Sequence, residues 1–274
     1  MVNTNEIDKM ASMEALQKRP QWEYTYEALK ANSSSLNSGL SFEEQLRRQS
    51  RAVRFIAEVC AQLSLPPATI YTAIIYFHRF YLRKSHNKYP CFDIASGCIF
   101  LAAKVEETAR RLQEVAIACT RVALKSPKLV IDENSKELRK WKSVITFNEG
   151  LLLETLCFDF EVASPYIKLK SHIELLNKAS DSKLQQVATQ FVNDSCKTLI
   201  QNIYNADTLA ASALLWASQT SPIESNGAVD QPWYETLGYE KEYLVKVVNT
   251  MVDMLKIPTT NEASQYRSLS ADQV

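Results

Sequence analysis

The sequence predicts an all-α protein built from two helical domains in tandem, and three observations carry that expectation. Glycine is scarce, with five residues in 274, where an average usage of about 7% would give roughly nineteen. Turn-rich β architectures and glycine-lined phosphate loops both need more. Apolar residues recur at helical period along most of the chain. A central pattern also occurs twice: residues 94–104 read IASGCIFLAAK and residues 209–219 read LAASALLWASQ. Small and large side chains alternate in the same order in both, although only Ala95/Ala210 and Ala102/Ala217 are identical.

The elements follow in order. Residues 1–40 form an N-terminal arm, with QWEYTYEAL (21–29) as a short docked segment. Ser41 and Glu44 make a capping box that opens a helix, because each side chain can satisfy an N–H the first turn leaves free. Ala52, Val53, Ile56, Val59 and Leu63 mark its apolar face, and Pro66-Pro67 ends it. Further helices are expected over 68–85, 92–107, 112–124 and 136–156, which completes a first domain at 41–163. The segment 92–107 is rich in small residues and reads as the helix others pack around. After Pro165 the pattern restarts, with helices near 166–177, 182–202, 207–219 and 240–255 and a short turn at Trp233. The second domain is 164–257, followed by a polar tail at 258–274.

Several functions lack the residues they need. Lys+Arg and Asp+Glu balance at 31 each, so no net field favours nucleic acid or a membrane surface. No apolar run approaches the length of a membrane span, and no signal peptide is expected. The six cysteines include no C-x-x-C pair and read as reduced core thiols. Cys91 and Cys98 share one helix without further ligands nearby, and His78, His86 and His172 lack metalloprotease spacing, so neither metal nor cofactor is expected. The arginines 47, 48, 51 and 54 read as a solvated face or as a surface for an acidic partner.

Charge does occur where burial is expected. Lys104 ends the apolar central helix, with Leu101 one turn back and Val105 beside it. Glu149 and Leu153 share a face of the fifth helix. By pattern alone these residues could be exposed, or paired in an internal salt bridge.

IYFHRFY (75–81), FLAAKVEE (100–107) and ETLCFDF (154–160) resemble, in order and spacing, the cyclin box. The resemblance runs from about Trp22 to Leu255 and is densest over 40–165. It implies tandem five-helix cyclin-box domains, no catalytic group of the chain's own, and a cyclin-dependent kinase catalytic subunit as partner, with room for a third subunit. By that resemblance Lys104 and Glu149 reach the backbone of the kinase's αC helix and the loop before it. Leu101, Val105, Leu153, Phe158 and Phe160 match the positions that bury the apolar part of the contact.

His78-Arg79-Phe80, and WEYTYEAL (22–29), are similar to the forms in K- and T-type transcription cyclins. These imply a nuclear protein whose complex phosphorylates the C-terminal repeats of RNA polymerase II. The M-R-A-I-L docking motif of cell-cycle cyclins is absent. A TFIIB-like factor shares the tandem fold, but such proteins usually bring a C-x-x-C zinc ribbon and a basic, DNA-binding surface, and neither is in this sequence.

Overall fold

A computed structural model describes residues 21–31, 39–132, 135–223 and 232–257, and the helical segments expected there are helices, except that the one expected over 182–202 ends early. The expectations for residues 1–20 and for the tail at 258–274 lie outside the described residues. The helices are α1 (Tyr26–Ala31), α2 (Phe42–Gln62), α3 (Pro67–Arg83), α4 (Cys91–Val105), α5 (Leu112–Ala123) and α6 (Lys136–Thr155). After the linker come α7 (Pro165–Leu175), α8 (Ser182–Ser195), α9 (Ala206–Ser218), α10 (Trp233–Thr236) and α11 (Lys241–Lys256). Among the described residues, α2–α6 and α7–α11 each make a five-helix set, the second with one very short member.

Each set is organised around the helix that carries the repeated pattern. Every residue of α4 from Ile94 to Ala103 is buried, and α9 is buried almost as completely. The two alanine pairs of the repeat are all fully inside. Small side chains let neighbouring backbones close in, so α4 is surrounded by α2, α3 and α6, and α9 by α7, α8 and α11. Gly97 marks the tightest approach: a Cβ added there would lie 3.0 Å from Asn148 Cβ and 3.0 Å from Leu152 Cδ1. α4 and α6 are therefore held at a spacing that a methyl group would disturb.

Local chemistry explains most helix ends. Ser41 caps α2 by accepting from Glu44 N at 3.2 Å. The reciprocal half of the expected capping box is replaced by ion pairs, because Glu44 faces Arg48 at 3.2 Å and Arg47 and Arg51 at 3.9 Å. Three of the arginines in the sequence cluster thus converge on one carboxylate. α8 ends at Ser195 rather than continuing to residue 202. Ser195 Oγ donates to Val192 O at 2.7 Å, and Thr198 Oγ1 donates to Ser195 O at 2.7 Å. Such side-chain bonds offer the carbonyls an alternative to the helical ladder, and only a 3₁₀ turn at Ile200–Asn202 follows.

The two sets interlock. Leu46, from the second turn of α2, belongs to the second core, whereas Cys196 belongs to the first. His78 Nε2 lies 3.0 Å from Cys196 O across this junction. A carbonyl only accepts, so Nε2 carries the proton. The segment before α1, together with α1 itself, straps both halves: Trp22 packs in the first core and Leu29 in the second. Tyr24 N donates to Asn202 O at 2.6 Å, and Trp22 Nε1 donates to Asp159 Oδ2 at 2.8 Å. The WEYTYEAL segment is docked, as its aromatic content leads one to expect.

Two predictions arise here. Gly97→Ala should destabilise the chain by about 1–3 kcal/mol through overpacking, even though alanine is the better helix former. Urea unfolding decides the sign, and a stabilised variant would contradict the close approach.

The second concerns two buried rings, His78 and His86. Burial lowers the first to about 4, and burial together with the nearby Arg48 lowers the second to about 3. Unfolded, both bind a proton near pH 6.5. Between pH 6.5 and 4 the unfolded chain therefore holds more protons, so stability falls as pH falls. The slope reaches up to about 1.4 kcal/mol per pH unit for each ring. An unfolding midpoint that stays flat across that range would exclude buried neutral histidines.

Candidate functional site: a lip at the ends of two helices

α4 and α6 both stop at a residue in the left-handed region, by the same hydrogen-bond pattern. At the end of α4, Glu107 N donates to Lys104 O and Thr108 N to Ala103 O, with Glu107 at φ 55°. At the end of α6, Cys157 N donates to Glu154 O and Phe158 N to Leu153 O, with Cys157 at φ 54° and Phe158 at φ 58°. This is the paired closure that usually uses glycine. Side chains other than glycine are unfavourable there by roughly 1–2 kcal/mol each. Such cost persists only where surrounding contacts over-determine the backbone.

Those contacts come from α3, through the motif IYFHRFY. Tyr76 OH donates to Phe160 O at 2.8 Å, and Arg79 donates to Asp159 O at 3.2 Å and Glu161 O at 2.9 Å. Burial pulls the Arg79 guanidinium below its usual range, and Asp159 opposes that shift. Arg83 donates to Thr155 O at 2.9 Å, which satisfies a carbonyl at the end of α6. Its guanidinium also lies 4.3 Å from the centre of the Trp22 ring. The result is a rigid turn that projects Phe158, 66% exposed, with Phe160 edge-on beneath it at 6.0 Å.

Lys104 and Glu149 meet on this lip, with Nζ donating to Oε1 at 2.6 Å. Lys104 is 47% exposed along its side chain, and Glu149 16%. The ammonium also lies 4.2 Å from the Phe100 ring centre. The pair is therefore an internal salt bridge at the surface, one of the two arrangements its pattern allowed. An ion pair this exposed adds only about 0–1 kcal/mol to stability, so the fold does not depend on it. Its consequence is orientation: three ammonium hydrogens and two carboxylate oxygens are held together, with valences left for a polar backbone.

The apolar positions divide. Val105 and Phe158 are exposed, while Leu153 and Phe160 are half-buried against the first core. Leu101 departs from its expected place on a contact surface, because it is 3% exposed and packed in the core beneath Lys104. Its position one turn before Lys104 faces inward, so it supports the lip from within. One residue escapes the motif reading. Phe147 is 71% exposed on α6, and its place in a helical run made it indistinguishable from a core residue. Among the described residues no group of acidic, histidine and cysteine side chains could hold a metal ion, and no helix is long and apolar enough to cross a membrane.

Comparison with known proteins places this geometry. Residues 22–161 match the family model for the cyclin N-terminal domain. The chain is similar to Cyclin pch1 of Schizosaccharomyces pombe, with 37% identity over 87% of this chain and 70% of that protein. It is 30% identical to Cyclin-T1-3 of Oryza sativa subsp. japonica and 31% identical to human Cyclin-K. Those matches cover 85% and 79% of this chain, but only 48% and 36% of the relatives' own lengths. The chain belongs to the cyclin family, and its relatives include T- and K-type cyclins.

The fold is also that of a chain in the yeast RNA Pol II CTD kinase CTDK-1 complex, at TM-score 0.65 and 17% identity over 85% of this chain and 75% of that one. A chain of the CAK complex of Chaetomium thermophilum matches at TM-score 0.61 and 15% identity, over 93% and 83%.

Proposed function

We propose that the chain is the regulatory subunit of a transcriptional cyclin-dependent kinase, acting in the nucleus on the C-terminal repeats of RNA polymerase II. The observation that carries this reading is the Lys104–Glu149 pair, held at 2.6 Å on a lip that also exposes Val105 and Phe158. Of the solved complexes of like fold, one is named as an RNA Pol II CTD kinase complex and another as a CAK complex bound to ATP-gamma-S, and similarity to cyclins of K and T type extends over most of this chain. A third subunit is compatible with these assemblies.

The mechanism is a shift of population. A protein kinase must pair its β3 lysine with the αC glutamate before the nucleotide phosphates are aligned. A subunit that binds the competent position of αC better than the displaced one stabilises it by that difference in affinity. Lys104 donates to backbone carbonyls around αC, and Glu149 accepts from N–H groups there. Val105 and Phe158 bury apolar surface beside them, with Leu153 and Phe160 as the wall behind. Leu101, Arg79 and Tyr76 keep this surface in place without touching the partner. The chain supplies no group to phosphoryl transfer.

The charge exchange across the lip tests the reading. Lys104→Glu and Glu149→Lys should each fold with a nearly unchanged melting temperature. Each should lose binding by roughly 30-fold to several-thousand-fold, the equivalent of about 2–5 kcal/mol. The double exchange rebuilds the internal ion pair with its polarity reversed. If the pair were only a brace, the double variant would bind normally; binding is expected to remain lost. Lys136→Glu, at the exposed start of α6, is the control. Pull-down of the kinase and phosphorylation of polymerase repeat peptides give the readout, and full activation by either single variant would remove these residues from the interface.

The second domain should be silent in this assay. In the repeat Lys104 corresponds to Gln219, which caps α9 from an exposed position and carries no charge. Gln219→Ala should leave kinase affinity within a few-fold, whereas a loss like that of Lys104→Glu would move the interface to the second domain.

A further inference from the structure

Ser-Pro occurs three times in the chain, at Ser126, Ser164 and Ser221, and the structure treats the three hydroxyls differently. Pro165 is buried as the first residue of α7, so an enzyme that must grip the ring after Ser164 cannot reach it. Ser221 Oγ donates to Asp181 Oδ2 at 2.5 Å, which sets a carboxylate against that hydroxyl. Ser126 stands in the connection between α5 and α6, and Pro127 after it is exposed. Its Oγ donates to Leu124 O at 3.2 Å, an exposed bond within its own turn.

The surroundings of Ser126 suit an anion. Residues 121–129 contain three cations, Arg121, Lys125 and Lys128, and no carboxylate; the nearest acidic residue in sequence is Asp132, past the turn. Backbone bonds close the turn on the serine, with Ser126 N donating to Arg121 O at 2.9 Å and Leu129 N to Ser126 O at 3.1 Å. Arg121 folds across the same turn, its Nε donating to Leu129 O at 3.0 Å. Its guanidinium is thereby held beside the serine, and the planar fork matches phosphate oxygens. A proline also keeps the residue before it out of the helical conformation. Ser126 lies outside both helices, so presenting it to an enzyme requires neither α5 nor α6 to unwind.

We propose that Ser126 is a phosphorylation site for a proline-directed serine/threonine protein kinase, and that Arg121, with Lys125 and Lys128, holds the phosphate once it is made. In the transfer Ser126 Oγ bonds to the γ-phosphorus of Mg-ATP as the bond from that phosphorus to the β,γ-bridging oxygen breaks. ADP leaves, and the hydroxyl proton passes to the catalytic aspartate of the enzyme. The phosphate adds about −1.5 to −2 charge at pH 7, which cancels much of the positive charge of the turn. The proposal does not depend on the kinase-binding reading of the lip, since any enzyme that recognises an exposed Ser-Pro would serve.

The test incubates the full chain with Mg-ATP and a recombinant mitogen-activated protein kinase, used as a proline-directed enzyme, with a Ser-Pro peptide in the same tube as control. Peptide mapping by mass spectrometry should find phosphate at Ser126 and little at Ser164 or Ser221. Pro127→Ala, in an exposed turn, should keep the wild-type melting temperature and lose most of the label. An unlabelled Ser126 beside a labelled peptide overturns the site. So does label at Ser164 or Ser221 equal to that at Ser126, or full labelling of Pro127→Ala. Phosphorus NMR of the modified chain reads the holding role separately. A phosphoserine releases its second proton at about pH 6; beside these cations it should do so at lower pH. Lys128→Gln, at an exposed position, should move that midpoint part of the way back up, and Arg121→Gln with Lys128→Gln further. A midpoint unmoved by both variants overturns the assignment of these side chains to the phosphate.

Discussion

At Gly97 the backbone of α4 lies so near α6 that an added Cβ would fall 3.0 Å from two of its side-chain atoms. That spacing sets the relative position of the two helix ends, and hence of the lip. Lys104 leaves α4 two turns beyond Gly97, and Glu149 follows Asn148, one of the residues packed on that glycine. The 2.6 Å pair between them is a consequence of the close approach rather than its cause, because an exposed ion pair is too weak to pull two helices together. The burial of Ile94 to Ala103 does far more to hold α4 against its neighbours.

A second layer of control comes from α3. Tyr76, Arg79 and Arg83 spend their polar groups on the carbonyls of Phe160, Asp159, Glu161 and Thr155. The left-handed turn at Cys157 and Phe158 is thereby held open although neither residue favours it. Trp22 adds to this by bonding Asp159 and covering Arg83. The segment before α1 reaches the site indirectly, by bracing the turn that presents Phe158. Under the proposed function a rigid lip matters, since any energy used to order it would be subtracted from the difference in affinity for the partner's two conformations.

Much of the fold was legible because helices buried on one side write their period into the chain, and because glycine is so rare that interruptions stand out. The repeat at 94–104 and 209–219 located both central helices, since only small residues tolerate burial on every side. Less legible was the end of α8. Ser195 and Thr198 turn their hydroxyls onto nearby carbonyls there, and the same residues at the same spacing would have been acceptable on a helix surface. Glu44 illustrates the same limit, since a glutamate at that position can close a capping box or pair with arginines. Neighbours one and two turns along the helix decided it.

The sequence by itself determined the class of fold and the family, and it singled out Lys104 and Glu149 as candidate residues. These depend on periodicity, composition and short motifs, all of which are local along the chain. Only the tertiary structure decided which face each apolar residue serves. Leu101 and Phe158 are both large apolar residues within family motifs, yet one is in the core and the other in solvent. Phe147 was silent for the same reason. Exposure is a property of what the rest of the chain fails to cover, and no local pattern records it.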